Sequence, residues 1–187
     1  MRHVRQLIVR HRALDPTAWT ALTALGEGAG TDKPSALARA DLWEFEWEGG
    51  AEVEERLTAW ARTANWFANP NRDRATWRKA EADATDLEAG AALASGGSGA
   101  EGSGAYLVTT WRGAVRSSEH EAAARRALAS PVRVRRGQVW WLAAEADDEA
   151  LARAGALLAN PHSQATRVFA RTLPVPAIGD DQGEEER

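Results

Sequence analysis

Imidazole is the side chain whose ordinary pKa lies nearest neutrality, so proton-transfer chemistry is sought first at the four histidines, positions 3, 11, 120 and 162. None has the short His/Cys spacing that gathers a metal ion. His11 lies on a β-type run and alone has a plausible pocket around it. Tuning its pKa would need neighbours that a sequence does not name, so it is read first as a packed or surface histidine. Glu44, Glu46 and Glu48 alternate along a strand and would present a row of oxygens to a hard cation. Carboxylates are mostly exposed, and this row is read as a solvated strand face. Gly96-Gly97-Ser98-Gly99 lacks the Lys-Ser/Thr and the strand-to-helix setting of a phosphate-cradling loop. The chain has no cysteine, which excludes disulfides, thiol catalysis and thiolate metal sites. The residues therefore point to no catalytic group, no metal and no cofactor.

Aromatic and basic side chains are better placed for binding. There are nine tryptophans. Trp43, Trp47 and Trp60 are expected in a core. Trp140 and Trp141 are neighbours on a strand and so face opposite sides, one toward a core and the other toward an interface. Arg133, Arg135 and Arg136 could meet phosphate or carboxylate, but charges on a solvated strand edge also block unwanted strand pairing.

These residues are positioned by a duplicated unit. Trp66-Phe67-Ala68-Asn69-Pro70 is echoed by Leu157-Leu158-Ala159-Asn160-Pro161, and each copy leads through a polar turn into a strand-like run. In the first copy, Arg5 to Arg12 reads as a strand, and Asp15-Pro16 starts a helix, Asp15 accepting free amides and Pro16 occupying the first turn. Leu14, Ala18, Leu22 and Leu25 give that helix an apolar stripe. Trp43, Phe45 and Trp47 alternate with glutamates on the clearest strand, preceded by a weak strand at 36–39. Val53, Leu57, Trp60, Ala64 and Phe67 line a long helix that Asn69-Pro70 is expected to stop.

The second copy follows the same order. A strand at 106–111 precedes Ser118-Glu119-His120-Glu121, which has the spacing of a capping box. Residues 131–138 read as a strand ending in the turn Arg136-Gly137-Gln138, and 139–144 as a further strand, apolar on both faces. A helix from Asp147, Asn160-Pro161 and a last strand complete it. Each copy thus reads β-α-β-β-α-β, the ferredoxin-like order, in an α+β protein.

The expected domains are residues 1–78, a flexible Ala/Gly/Ser linker at 79–104, residues 105–172, and a disordered acidic tail at 173–187. The net charge of −4 resides in the tail, whose removal leaves 22 acidic and 22 basic residues. A neutral body argues against a nucleic-acid partner. No run of apolar residues is long enough to span a membrane, and the first residues lead into a strand rather than an apolar signal core, so the expected location is cytoplasmic.

The second copy resembles the PurS subunit of phosphoribosylformylglycinamidine synthase. The resemblance rests on Pro131 to Gln138, then Val139-Trp140-Trp141-Leu142, the acidic run Glu145 to Glu149, and Leu157-Leu158-Ala159-Asn160-Pro161. Arg12-Ala13-Leu14-Asp15-Pro16 of the first copy is similar to that family's Gly-Val-Leu-Asp-Pro stretch before its first helix. The chain departs from the family in holding two units, in Gln138 where Lys is usual, and in Arg116-Ser117-Ser118 where Leu-Asp-Pro is usual. The resemblance implies two PurS-like repeats packed as an intramolecular pseudo-dimer. It further implies a non-catalytic subunit that bridges a glutaminase and an ATP-dependent synthetase, and a fused chain able to self-associate. The interface residues would be Trp140, Trp141, Arg136, Gly137 and Gln138. Fused ferredoxin-like copies also build dimeric α+β-barrel ligand binders and small enzymes, for which His11, Trp111 and Trp140 would line a pocket between sheet and helices.

Overall fold

A computed structural model describes residues 2–28, 36–79, 104–111, 118–143, 148–160 and 162–170. In chain order these form β1 (Arg2–His11), α1 (Pro16–Gly28), β2 (Ala36–Glu48), α2 (Ala51–Thr63), β3 (Asp73–Lys79), β4 (Gly104–Trp111), α3 (Ser118–Leu128), β5 (Val132–Ala143), α4 (Asp148–Leu158) and β6 (Gln164–Ala170). The residues expected to form the linker and the acidic tail lie almost wholly outside the described set, as does Pro161.

The class is α+β. One six-stranded sheet runs in the order β3-β1-β2-β5-β4-β6, with each neighbouring pair antiparallel. The order reads the same from both ends if the first three strands are matched to the last three. Strands β2 and β5 meet at the centre along a ladder from Ala36↔Ala143 to Trp47↔Val132.

That ladder corrects the expected strand order. The weak strand before Trp43 and the strong one through it are a single strand of 13 residues, and residues 132–143 form one strand of 12. Arg136-Gly137-Gln138 is therefore not a turn. These residues sit opposite Trp43, Leu42 and Asp41, and a long partner strand holds them extended through the glycine. Each half of the chain reads β-α-β-α-β.

Directly opposed residues share a sheet face. Leu37, Arg39, Asp41, Trp43, Phe45 and Trp47 thus lie on the same side as Leu142, Trp140, Gln138, Arg136, Val134 and Val132. The four described helices pack on this side in two pairs. Over one end of the seam, Val53, Leu57 and Ala61 of α2 and Ala124 and Leu128 of α3 bury Trp43, Phe45, Trp47, Val132 and Val134. Over the other end, Ala18 and Leu25 of α1 and Ala154 of α4 bury Leu37, Trp140 and Leu142. Each core therefore takes one helix from each half. The stripes follow the expected spacing except at Leu14, which precedes α1 and is 74% exposed, and at Ala64 and Phe67, which lie beyond the end of α2.

Helix α2 stops at Thr63, well before Asn69-Pro70, because Ala64 is already extended. Phe67 still reaches the core from the turn that follows. The Asn-Pro sequence shapes that turn instead. Asn69 Oδ1 accepts the amide of Asn71 at 3.0 Å, and Asn160 Oδ1 accepts that of His162 at 3.0 Å. Such side-chain turns suit asparagine, whose amide mimics a backbone group.

The glutamate row is also corrected. Glu48 is exposed, but Glu44 is 1% exposed on the sheet face away from the four helices. Its neighbours in the register are Gln6 on β1 and Arg135 on β5. Gln6 donates to it at 3.0 Å and Arg135 at 3.1 Å, while Glu46 accepts from Arg135 at 3.0 Å and pairs with Arg2 at 2.9 Å. Buried carboxylates are tolerated when cross-strand partners satisfy them in this way. Strand β5 is central, yet among the described residues β4 pairs only with its residues 137–143, so there Arg133 and Arg135 lie on a stretch with β2 alone beside it. On that stretch Glu121 of α3 accepts the Val134 amide at 3.1 Å. No described helix is long and apolar enough to cross a membrane.

Candidate functional site

Midway along the seam the two helix pairs part and leave a polar cleft of about 160 Å³. His11 reaches it from the end of β1 and Asp15 from the start of α1. Arg39 and Asp41 come from β2 and Arg136 from β5, while Asn65 to Asn69, Arg72 and Asp73 belong to the segment joining α2 to β3. Four of the seven charged groups, His11, Asp15, Arg72 and Asp73, lie at or beside the ends of β1, α1 and β3, and the other three lie within the seam strands β2 and β5.

Two aspartates organise the walls. Asp15 Oδ1 accepts the Thr17 amide at 2.9 Å, as expected for a residue before a Pro-led helix, and its Oδ2 accepts from Arg39 Nε at 2.9 Å. Burial pushes the Asp15 carboxyl up, but the Arg39 hydrogen bond and charge, the Thr17 amide and His11 outweigh it and hold it below the usual range. Asp73 accepts the Asn69 amide at 2.8 Å and Arg72 Nε at 3.0 Å, and lies 3.2 Å from His11 Nδ1. Burial again raises its carboxyl, and Arg72, the Asn69 amide and His11 again win, so it too is held low. Arg72 is raised in return, chiefly by its hydrogen bond to Asp73. Both aspartates are thus kept ionised, a state suited to holding cations and amides in place. No group of three or more His, Asp or Glu side chains among the described residues could hold a metal ion.

Two arginines form the floor. Arg39 lies over the Trp140 ring at 5.9 Å, and Arg136 lies over the Trp43 ring at 5.1 Å. Each arginine faces across the β2·β5 ladder to the tryptophan that stands four residues after the other. Asp41 lies between them, 3.7 Å from Arg39 and 3.6 Å from Arg136. Comparison with known protein families, curated proteins and solved structures found no match.

All five residues expected at an interface are on β5. Arg136, Gly137, Gln138, Trp140 and Trp141 pair across the seam with Trp43, Leu42, Asp41, Arg39 and Ala38. Trp140 and Trp141 face opposite sides, and both are buried, at 3% and 2% exposure. Only Arg136 of the five lines the cleft. Of the alternative pocket residues, His11 lines the cleft and Trp140 lies beneath Arg39, whereas Trp111 ends β4 opposite Gln164. Asp15 and Asn69 line the cleft, and Pro16 begins α1. Pro70 is exposed in the turn before β3, and Asn160 occupies the matching turn before β6.

Arg39, Asp41, Arg72 and Asp73 are not among the sequence's candidate site residues, and Trp66 is read there only as part of the repeat. A second repeat held the signal for some of them. Arg39-Ala-Asp-Leu-Trp43 and Arg136-Gly-Gln-Val-Trp140 share an Arg-x-x-x-Trp spacing that becomes the crossed pair on the floor. Likewise Asp73 and Gln164 stand four residues after their asparagines and cap the same amide, at 2.8 and 2.6 Å.

Proposed function

We propose that the chain is a tandem pseudo-dimer of PurS-like repeats acting as a non-catalytic assembly subunit in the cytoplasm. It would bridge glutaminase and synthetase components of a formylglycinamidine synthase. The observation that carries the duplication is the matched pair of turns. Asn69 and Asn160 each accept two backbone amides at the start of the next strand, at 3.0 and 2.7 Å in both copies, and each receives a side-chain cap from four residues on. The strand order and the crossed Arg–Trp pairs support the same reading, because a two-fold axis through the seam would generate both. The assembly role rests on the Leu-Leu-Ala-Asn-Pro and Leu-Asp-Pro resemblance. It agrees with a cleft whose aspartates are engaged in ion pairs rather than poised to exchange protons.

The test is co-purification of the full chain with the glutaminase and synthetase subunits from the same source. A stoichiometric complex on gel filtration is the expected result. Separate elution, with a single-unit PurS from that source joining the two enzymes instead, would overturn the assembly role while leaving the fold unaffected.

A further inference from the structure

The two floor arginines are related by the seam but are not equally employed. Arg39 is clamped by Asp15, with a 2.9 Å bond to Nε, and its side chain is 13% exposed. In the second copy the Leu-Asp-Pro that supplies this aspartate is replaced by Arg116-Ser117-Ser118, so the sequence offers Arg136 no matching carboxylate. Its Nε is buried without a hydrogen-bond partner. Its closest carboxylate among the described pairs is Asp41, at 3.6 Å, beyond hydrogen-bond reach, and that group is shared with Arg39. Meanwhile Asp15 and Asp73 are consumed by Arg39, Arg72, His11 and backbone amides. The guanidinium of Arg136 is held over Trp43, lines the cleft and is 36% exposed.

We propose that Arg136 is the anchor of an anion-binding site in this cleft, which takes the oxyanion headgroup, phosphoryl or carboxylate, of a small molecule. A planar fork prearranged by stacking recognises such groups with two parallel donors. The three arginines and three aspartates that line the cleft balance only with Arg136 counted, so position rather than net charge selects the ligand: Arg72 and His11 face the same space, while Asp41 sets the side from which an anion must approach. The volume is below the roughly 300–1,000 Å³ of sites that engulf a drug-sized ligand, which suits a headgroup rather than a whole cofactor. Trp66, 57% exposed on the rim, offers a flat apolar surface to whatever the headgroup is attached to. This site does not depend on the assembly role.

Titration of the full chain with inorganic phosphate, and separately with succinate, tests it, with tryptophan fluorescence and the urea midpoint as readouts and sodium chloride at matched ionic strength as the control. A saturable change with phosphate, succinate or both, absent with chloride, is expected, and the preferred anion identifies the headgroup. Arg136→Gln should weaken it about tenfold or more, the weight of one charge-assisted bond, and Arg136→Lys should weaken it less. Arg72→Gln, which removes an equal charge from the rim, should weaken it by less than about threefold if position governs recognition. Failure of wild-type chain to respond to either anion beyond chloride overturns the site. So does an unchanged response in a folded Arg136→Gln variant, or an equal loss in Arg72→Gln.

Discussion

Replacing Asp73 by alanine probes the turn that joins α2 to β3. Its side chain is 4% exposed, and one oxygen caps the Asn69 amide at 2.8 Å while the other meets Arg72 and His11. Losing a hydrogen bond to a charged acceptor costs about 1.5–3 kcal/mol, and the stranded amide keeps that cost from being recovered. The Arg72 pair adds little, since that arginine is 66% exposed and screened. Asp73→Ala should therefore destabilise by about 2–3 kcal/mol, read as a lower urea midpoint by tryptophan fluorescence at unchanged m-value. Asp73→Gln installs the residue that caps the matching turn at Gln164, and should return about half of the loss by restoring the amide cap without the ion pairs. A loss under about 0.5 kcal/mol in Asp73→Ala, or a glutamine variant no better than alanine, would refute the view that this carboxylate holds the turn through the Asn69 amide.

Three further outcomes follow from the same structure. Asp15 and Asp73 are held below their ordinary pKa, so their stabilisation is complete above the usual carboxylate range and is lost as pH falls through it toward their folded values. Stability measured from neutral to acid pH should decline on that limb, and Asp73→Asn should flatten the decline. Glu44→Ala removes the buried acceptor of Gln6 and Arg135 and should cost about 2–4 kcal/mol, below the full range for a broken buried pair because Arg135 keeps Glu46. Ala129, at φ 50 just after α3, occupies a backbone region that costs a non-glycine residue about 1–2 kcal/mol. Glycine there forfeits about 0.4–1 kcal/mol through the unfolded chain, so Ala129→Gly should raise stability by about 0.5–1 kcal/mol in thermal or urea unfolding.

Much of the architecture was legible because it is periodic. The Trp43-Phe45-Trp47 alternation and the Val53-Leu57 stripe each announce their element and the face it buries, and both meet in one core. Strand boundaries were less legible. Gly137 reads locally as a turn, whereas its conformation is decided by Leu42 and Thr110 on flanking strands far away in sequence. Glu44 reads as solvated for the same reason: Gln6 and Arg135, which make its burial tolerable, lie on separate strands. Of the cleft, Asp15 and His11 could be named from local signals. Arg39, Asp41 and Arg136 could not be gathered into one site without the β2·β5 register, since nothing in either half alone says that Arg39 will lie over Trp140.

The sharing of each core between halves has a consequence for cooperativity. Among the described residues helix α2 packs against α3, and α1 against α4, and in each case the partner belongs to the other half. The seam strands that carry them are roughly a hundred residues apart along the chain, a separation that slows closure but adds little to its free-energy cost. Neither half can bury its apolar surface alone, so the intact chain should unfold in one step, not two. A chain cut between Lys79 and Gly104 would turn that internal coupling into a bimolecular one, and its melting temperature would then rise with protein concentration as an obligate dimer's does.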